Sequence, residues 1–209
     1  MAGYDAVAQR YAAELGDELD HKPVDRALYA LFAELVGPGA RVGDVGCGPG
    51  HITAHLAGLG LTPVGIDPSP AMIDVARRRE PALEFRVGSF EELGEPSGAW
   101  AGAVAPYSII HVAAQDRDAA YSGLADAVAP GGWLLVAFHV SMAEQEAGST
   151  LTMTQWWDEA VEIDFHFIDP DELVAGLAAA GFSTMARTDR EPSEAEAPSR
   201  RCYVLAQRR

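Results

Sequence analysis

A carboxylate and three glycines at alternate positions are the residues of this chain with the plainest chemical use. They occur in the order Asp44-x-Gly46-x-Gly48-x-Gly50, directly after a short apolar stretch. Glycine adopts backbone angles that are closed to other residues, and without a side chain it lets a ligand lie against the main chain. The pattern predicts a buried strand, a tight turn and a helix that starts at His51, with a ligand bound at the turn.

The charge at this turn indicates which ligand the turn binds. A dinucleotide-binding turn has the form G-x-G-x-x-G, and His51 stands where its third glycine belongs. The carboxylate of Asp44 would repel a pyrophosphate and attract a cation. S-adenosylmethionine carries a sulfonium and an ammonium group and fits this charge. A second acid, Asp67, ends the next predicted strand twenty-one residues after Gly46, where it can accept hydrogen bonds from ribose hydroxyls.

With these residues the chain resembles the class I S-adenosylmethionine-dependent methyltransferases, in particular bacterial small-molecule enzymes of the ubiquinone-biosynthesis type. The resemblance extends from Tyr4 to Leu205 and includes the turn Pro130-Gly131-Gly132 before the fifth predicted strand. It implies an α/β fold: a Rossmann-like, doubly wound sheet of about seven strands, mostly parallel with an antiparallel last strand, and helices on both faces. It also implies methyl transfer from S-adenosylmethionine to a small molecule, with S-adenosylhomocysteine as the other product.

The resemblance implies a set of cofactor contacts, some of which have a plainer alternative. Met72 would cover the adenine, although packing against the sheet explains it equally well. Tyr11 would reach the methionine carboxylate or the substrate, or else pack by its ring alone. The family commonly has an aspartate after Gly88, whereas this chain has Ser89, which can accept a hydrogen bond without charge. The predicted cofactor residues are Tyr11, Asp44, Gly46, Cys47, Gly48, Gly50, His51, Asp67, Pro68, Ser69, Met72, Gly88, Ser89, Phe90, Ala105 and Tyr107.

Three histidines are candidates for the base that a hydroxyl or ammonium acceptor requires, since histidine titrates in the suitable range. His111 matches a family position near the transferred methyl, His139 ends the fifth strand on the ligand side, and His166 lies in the segment that follows. His111 could instead be a buried histidine bonded to a backbone group. The sequence does not choose among them, and it leaves open whether the acceptor atom is oxygen, nitrogen, carbon or sulfur.

A metal site is not expected. His51 and His55 are spaced i, i+4 on the predicted helix, a spacing that can hold a metal, but no third ligand is evident.

The elements that position these residues form a single predicted domain over residues 1–209. Residues 1–38 contain two amphipathic helices, which in the family cover the cleft. Residues 141–168 follow the fifth strand and are interpreted as a substrate lid, or alternatively as an extra hairpin with inward-facing aromatics. The candidate substrate contacts are Tyr4, Trp156, Trp157 and Asp164.

Helical periodicity, capping residues and apolar runs predict the remaining elements. Helices are expected over Gly3 to about Glu18, Pro23 to Val36, Pro70 to Arg79, Gln115 to Val128 and Pro170 to Ala180. Strands are expected over 42–45, 62–67, 83–87, 99–105 and 133–139, with an antiparallel pair formed by 182–190 and 201–205.

Composition limits the possible partners. The 209 residues carry a formal charge of −16, which disfavours nucleic acid because phosphate binding depends on lysine and arginine. Lys22 is the single lysine among 15 basic residues, as expected for a GC-rich bacterial genome. No apolar run approaches the ~18 residues of a membrane helix, and the two cysteines form no disulfide framework. We therefore expect a soluble cytoplasmic protein, monomeric or homodimeric, with a small-molecule partner.

Two other functions fit parts of the pattern. The same fold could bind S-adenosylmethionine in a regulatory or non-methylating role, since Ser89 departs from the family pattern and an acid near the start of the fourth strand is missing. A nicotinamide-dependent oxidoreductase fits less well, because His51 and Asp44 both disagree with a dinucleotide turn.

Overall fold

The computed structural model describes residues 2–194 and 196–209, and a twisted sheet with helices on both faces forms its centre. The strands are β1 (Arg41–Val45), β2 (Thr62–Asp67), β3 (Glu84–Val87), β4 (Trp100–Pro106), β5 (Val128–Met142), β6 (Thr150–Trp156), β7 (Glu159–His166), β8 (Phe182–Arg190) and β9 (Ser199–Arg208). Seven of them form one sheet in the order β3-β2-β1-β4-β5-β9-β8, in which β9 runs antiparallel to both of its neighbours. The predicted fold class is confirmed.

The helices begin and end close to the predicted positions. They are α1 (Ala2–Leu15), α2 (Pro23–Val36), α3 (His51–Gly58), α4 (Pro70–Arg79), α5 (Arg117–Ala127) and α6 (Pro170–Ala179). Ser69 caps α4 by accepting a hydrogen bond from the amide of Met72, and Asp169 caps α6 in the same manner. Both caps precede a proline, whose fixed backbone angle suits the first turn of a helix.

The two faces of the sheet have separate cores. On one face, Phe32 of α2 and Leu56 of α3 are fully buried against the sheet. On the other face, Leu124 of α5 and Leu177 of α6 do the same. Helices thus cover both faces, as the alternation of strands and helices along the chain requires.

Two local predictions were wrong in detail. Helix α1 ends at Leu15, and a 3₁₀ turn over Glu18–His21 follows it. Residues 130–132 do not form a separate turn but belong to β5, with Gly131 at a φ of +81° where the register against β4 shifts. The segment 141–168 contains the antiparallel hairpin β6–β7, which was the alternative interpretation of this segment.

The hairpin packs against the first helix. Val161 and Ile163 alternate toward the interior of β7 and bury Val7 of α1 between helix and hairpin. Alternate inward apolar residues are the pattern of a strand with one buried face. This packing holds the N-terminal helix at the same edge of the sheet as the glycine turn.

Within the described residues no helix has the length and apolar character needed to cross a membrane.

The strand that precedes the glycine turn allows a test of its packing. A Cβ added at Gly43 would meet the buried ring of Trp100 at about 2.5 Å. Gly43→Ala is therefore expected to lower the free energy of unfolding by about 1–3 kcal/mol, the usual cost of overpacking. Gly58→Ala is the matched control, since its Cβ would meet no atom within 4 Å and helix propensity favours alanine. Urea denaturation of both variants measures the difference, and equal stability would contradict the packing described.

Candidate active site

A cavity of about 800 Å³ opens at the carboxyl ends of the parallel strands, the edge at which open α/β sheets bind ligands. Its walls come from the glycine turn after β1, the ends of β2, β4 and β5, helix α1 and the hairpin. The structure brings most of the predicted site residues to this cavity. Those that line it are Tyr4, Tyr11, Gly46, Cys47, Gly48, His51, Asp67, Pro68, Met72, Gly88, Ser89, Phe90, Tyr107, His111, His139 and Trp156.

The three glycines of the turn have different surroundings. All three have positive φ, with values of +79° at Gly46, +53° at Gly48 and +86° at Gly50. A Cβ at Gly46 would collide with Ser108, and one at Gly50 would lie 2.8 Å from the ring of Phe85. At Gly48 a Cβ would meet no protein atom within 4 Å. Gly46 and Gly50 therefore allow close packing, whereas Gly48 leaves open space at the cavity wall.

Asp67 ties the end of β2 to the glycine turn. Its carboxylate accepts hydrogen bonds from the amide of Gly48 at 2.9 Å and from the amide of Ser69 at 2.8 Å. The side chain lines the cavity although Asp67 is only 8% exposed. Burial raises the pKa of this carboxyl, and the two amide bonds work in the opposite direction. Each oxygen keeps acceptor capacity toward the cavity.

Asp44 lies behind the turn and not in the cavity wall, which corrects its predicted role as a direct contact. Its carboxylate is fully buried and accepts a hydrogen bond of 2.6 Å from the hydroxyl of Thr53. Its Oδ1 has no hydrogen-bond partner among the described residues. Burial raises the pKa of Asp44 to about 6. The carboxyl therefore changes charge near neutral pH and influences the cavity only through its field.

Three more predicted cofactor residues do not reach the cavity wall. Gly50 packs against Phe85, Ala105 is fully buried in the core, and Ser69 caps α4 while its hydroxyl binds Asp5 at 2.5 Å. Their environments are structural, so the pattern located the segment correctly but not the direction of each residue.

Two predicted substrate residues also lie outside the cavity. Trp157 stacks on Trp156 with ring centroids 5.1 Å apart, and Arg10 lies 5.1 Å from the centroid of the Trp157 ring. The exposed carboxylate of Asp164 accepts a hydrogen bond from Thr152 at 2.6 Å. Of the predicted substrate residues, Tyr4 and Trp156 remain at the cavity.

His111 closes a 3₁₀ turn (Ile109–His111) and does not begin a helix. Its Nδ1 lies 2.7 Å from the backbone carbonyl of Asp164, which can only accept, so Nδ1 carries the proton. Its Nε2 then accepts from the hydroxyl of Tyr4 at 2.9 Å. Burial lowers the pKa of His111 to about 4. Both ring nitrogens of this histidine are thus occupied within the protein.

His139 has a free nitrogen. Its ring stacks on Tyr107 with centroids 5.1 Å apart, and its Nδ1 lies 2.7 Å from the hydroxyl of Ser199. Burial, reinforced by the positive charge of Arg201, lowers the pKa of His139 to about 3. His166 is different, because it bonds Thr150 at 2.7 Å and does not line the cavity. Within the described residues, His139 is the candidate that presents a neutral, uncommitted nitrogen at the cavity.

Several charged cavity residues were not anticipated. Glu18 binds His51 at 3.0 Å and Lys22 at 2.7 Å. Burial alone would raise the pKa of Glu18, but these two partners outweigh it and bring the pKa to about 2. Arg201 lines the cavity from β9. A basic residue within an otherwise apolar predicted strand was the available signal for Arg201, whereas nothing local marked Glu18.

A buried polar network stands behind Tyr107. The hydroxyl of Tyr107 donates to Asp25 at 3.1 Å and lies 2.7 Å from the hydroxyl of Tyr203. Arg190 binds Asp25 at 3.0 Å and also binds Glu196, which lines the cavity. The network connects α2, the end of β4, β8 and β9, and it holds Tyr107 at a φ of +53°, which is unusual for a tyrosine.

In the part of the chain that the structure describes, no group of three or more histidine, cysteine or acidic side chains is placed to hold a metal. His51 points to Glu18, while the ring of His55 packs against Tyr29 at 5.7 Å.

Comparison with known proteins agrees with this site. Residues 42–132, from β1 into β5, match the family described as Methyltransferase domain. The ubiquinone biosynthesis O-methyltransferase of Azorhizobium caulinodans is 30% identical over 158 residues, covering 69% of this chain and 59% of the relative. The enzyme of the same name from a Chelativorans species is 32% identical, covering 72% of this chain and 61% of the relative. The chain thus spans about three fifths of these curated relatives.

Solved structures share the fold. An S-adenosylmethionine-dependent methyltransferase from Methanosarcina mazei superposes with a TM-score of 0.73 at 18% identity, covering 84% of this chain and 95% of that one. The glycopeptide N-methyltransferase MtfA, crystallised with S-adenosylmethionine, gives a TM-score of 0.67 at 18% identity, covering 88% and 94%.

The sheet order and the glycine turn define the class of the protein, a Rossmann-like α/β protein with a ligand cleft at the strand ends. The sequence matches show that residues 42–132 are similar to the methyltransferase-domain family and that about 70% of the chain is similar to O-methyltransferases. The predicted resemblance to the class I S-adenosylmethionine-dependent methyltransferases, whose cofactor is S-adenosylmethionine, is confirmed.

The depressed pKa of His111 has a measurable consequence for stability. In the unfolded chain His111 has a pKa of about 6.5, whereas in the folded protein its pKa is about 4. The unfolded chain therefore binds this proton more readily. Stability from this group is therefore lost as pH falls below about 6.5. When the pH is lowered from 7 to 5, the free energy of unfolding of the wild type should fall. In His111→Gln the fall should be smaller by roughly 2 kcal/mol, because the group that takes up the proton is missing.

Urea denaturation at the two pH values measures this difference. His21→Gln removes an exposed histidine and should keep the wild-type pH dependence. The same pH dependence in His111→Gln as in the wild type would contradict the buried neutral state.

Proposed function

We propose that this chain transfers a methyl group from S-adenosylmethionine to a small-molecule acceptor held in the cavity. The observation that carries the proposal is the hydrogen bond from the amide of Gly48 to the carboxylate of Asp67. Both residues line the cavity, and the space above Gly48 is open. The names of the relatives support the reaction class. Because the chain spans about three fifths of those relatives, activity and acceptor are proposed for it and not transferred from them.

The residues fit the cofactor along its length. The space above Gly48 would admit the ligand against the main chain, and Asp67 retains lone pairs for the ribose hydroxyls. Met72, Ser89 and Phe90 all line the cavity, and they would supply two apolar side chains and one hydroxyl to the adenine. The carboxylates of Asp67 and Asp44 favour a ligand with positive charge.

When bound, S-adenosylmethionine supplies a methyl group on a sulfonium, which an acceptor displaces in line. The protein has to align the acceptor and exclude water. The rings of Tyr4, Tyr11 and Trp156 line the cavity with centroids 5.6 to 6.0 Å apart and planes at 68° to 81° to one another. Three aromatic rings at these angles to one another limit the entry of water. They also limit the orientations that an acceptor can adopt.

Helix α1 and the hairpin β6–β7 supply these walls. Tyr4 and Tyr11 come from residues 1–38 and Trp156 from residues 141–168, the two segments interpreted as a cover in a single domain. The ion pair of Arg10 with Asp158, at 3.1 Å, joins helix and hairpin at the surface. We assign the two segments the role of a substrate cover that must open for exchange.

His139 is the proposed proton acceptor. Its Nε2 is uncommitted within the described residues, and its ring lines the cavity in which the acceptor would be held. His111 instead orients the hydroxyl of Tyr4 by accepting its proton in a hydrogen bond. His166 lies outside the cavity and has no part in the reaction.

Cofactor binding should depend on Asp67. Asp67→Asn removes the charge and one acceptor, so the affinity for S-adenosylmethionine should fall at least tenfold, roughly the loss of one hydrogen bond to a charged group. Isothermal titration calorimetry measures it. Asp164→Asn removes an exposed carboxylate outside the cavity and should keep the wild-type affinity. Unchanged affinity in Asp67→Asn, with its folded spectrum retained, would count against the proposed cofactor site.

Methyl transfer is tested with methyl-labelled cofactor and fractions of a bacterial metabolite extract. We expect label in a small-molecule product, with turnover reduced about 10²–10⁴-fold in His139→Gln, the usual contribution of a general base. His166→Gln should retain turnover. Cofactor binding without label transfer to any fraction would favour the non-methylating role instead.

A further inference from the structure

Arg201 is a buried cation in the wall of the cavity. It lies on β9 directly opposite His139 on β5, where the start of the antiparallel strand meets the carboxyl end of its parallel neighbour. The residue is 2% exposed and lines the cavity. A buried charge is costly unless it is paired and hydrogen-bonded, so the partners of Arg201 have to be accounted for.

The guanidinium has more donors than partners. One Nη donates to the carbonyl of Ser199 at 2.8 Å, and the other donates to the carbonyl of Ala197 at 3.1 Å. A guanidinium has five N–H groups, so three have no partner among the described residues. The Nε is buried without a hydrogen bond. Most of the donor capacity of Arg201 is therefore unused.

The nearest carboxylate does not fill this deficit. Glu196 approaches the Nε of Arg201 only to 3.8 Å, beyond hydrogen-bond distance. Its oxygens already accept two hydrogen bonds from Arg190, at 2.6 and 2.7 Å, and two from Ser193, both at 3.0 Å. Glu196 balances part of the charge, but its nearest oxygen, Oε1, lies too far from the Nε of Arg201 to accept a hydrogen bond.

The neighbours on the cavity side do not pair with Arg201. His139 presents its uncommitted nitrogen beside Arg201, and the hydroxyl of Ser199 bonds that ring. Lys22 lies 5.0 Å and Arg201 6.0 Å from the centroid of the Tyr107 ring, and Lys22 is paired with Glu18. Within the described residues none of these groups accepts a hydrogen bond from the guanidinium of Arg201.

Apolar residues also line this cavity. Among them are Met142 from β5, Leu151 from the hairpin and Phe167 from the segment after it. A ligand that satisfies both these residues and Arg201 has an apolar or aromatic body and a terminal anionic oxygen group.

We propose that the methyl acceptor carries a carboxylate and that Arg201 is the residue that binds it. The assignment rests on the proposed function, since it names the acceptor of that same cavity. Arginine matches a carboxylate with two parallel hydrogen bonds, and the uncommitted donors of Arg201 suit this geometry. Arg201 thereby selects acids over neutral acceptors of the same shape.

A pair of isosteric probes tests the proposal on the wild-type protein. Cinnamate and cinnamamide have the same apolar body and differ in the anionic group. With the protein saturated by S-adenosylhomocysteine, titration followed by NMR should show cinnamate binding at least tenfold more tightly than the amide, as expected for hydrogen bonds to a charged group. Equal affinity, including no measurable binding of either probe, overturns the proposal.

Variants of two adjacent arginines test whether Arg201 is the source of the preference for the acid. Arg201→Gln should remove the preference for the acid. Arg200→Gln is the matched control, because Arg200 on the same strand has a 47% exposed side chain and pairs only at 3.8 to 3.9 Å with surface acids. Retention of the preference in Arg201→Gln overturns the assignment. The wild-type comparison needs no variant, so poor folding of Arg201→Gln would leave the test intact.

The alternative to this proposal is that Arg201 binds the carboxylate of the cofactor. If Arg201 held it, cinnamate would displace S-adenosylhomocysteine, and Arg201→Gln would weaken S-adenosylhomocysteine binding at least tenfold. Either result overturns the proposal. Failure of the proposed function is separate, since it appears as absent cofactor binding or absent transfer of the labelled methyl group by the wild-type protein, whatever the probes do.

Discussion

The bond between the carboxylate of Asp67 and the amide of Gly48 is the constraint on which the cofactor half of the site depends. A glycine turn has many accessible conformations, and it becomes a binding surface only when something holds it. The acid at the end of β2 does so by accepting from Gly48 on one side and from Ser69, the cap of α4, on the other. One buried carboxylate thus orients two helix starts around the same cleft.

The acceptor half is held differently, by a network of charges. Asp25, Tyr107 and Arg190 join α2, β4 and β8 behind the cavity wall. Removing one partner from such a network leaves a buried group unsatisfied, which costs more than the bond itself contributes. The network therefore opposes movement of this part of the wall. Burial lowers the pKa of His111 and of His139 beside it, so both rings are neutral at pH 7.

Much of this could be predicted from the sequence because it depends on neighbours along the chain. Ser69 before a proline determined the start of α4, and the spacing of Asp44, Gly48 and Asp67 identified the turn and the family. The family resemblance implied a mostly parallel sheet with an antiparallel last strand and helices on both faces. Capping, glycine torsion and apolar periodicity act over a few residues, so they are legible without the fold.

The direction of each side chain and the partners it meets were decided only by the tertiary structure. Asp44 and Ala105 have the correct position in the pattern but face away from the cavity. The choice between His111 and His139 depends on a carbonyl fifty-three residues from His111 and a hydroxyl sixty residues from His139. Arg201 is isolated in the sequence and acquires its meaning from strand pairing. Hydrogen bonds and burial between distant segments have no periodic signature, which is why the sequence alone determined the cofactor class but not the acceptor.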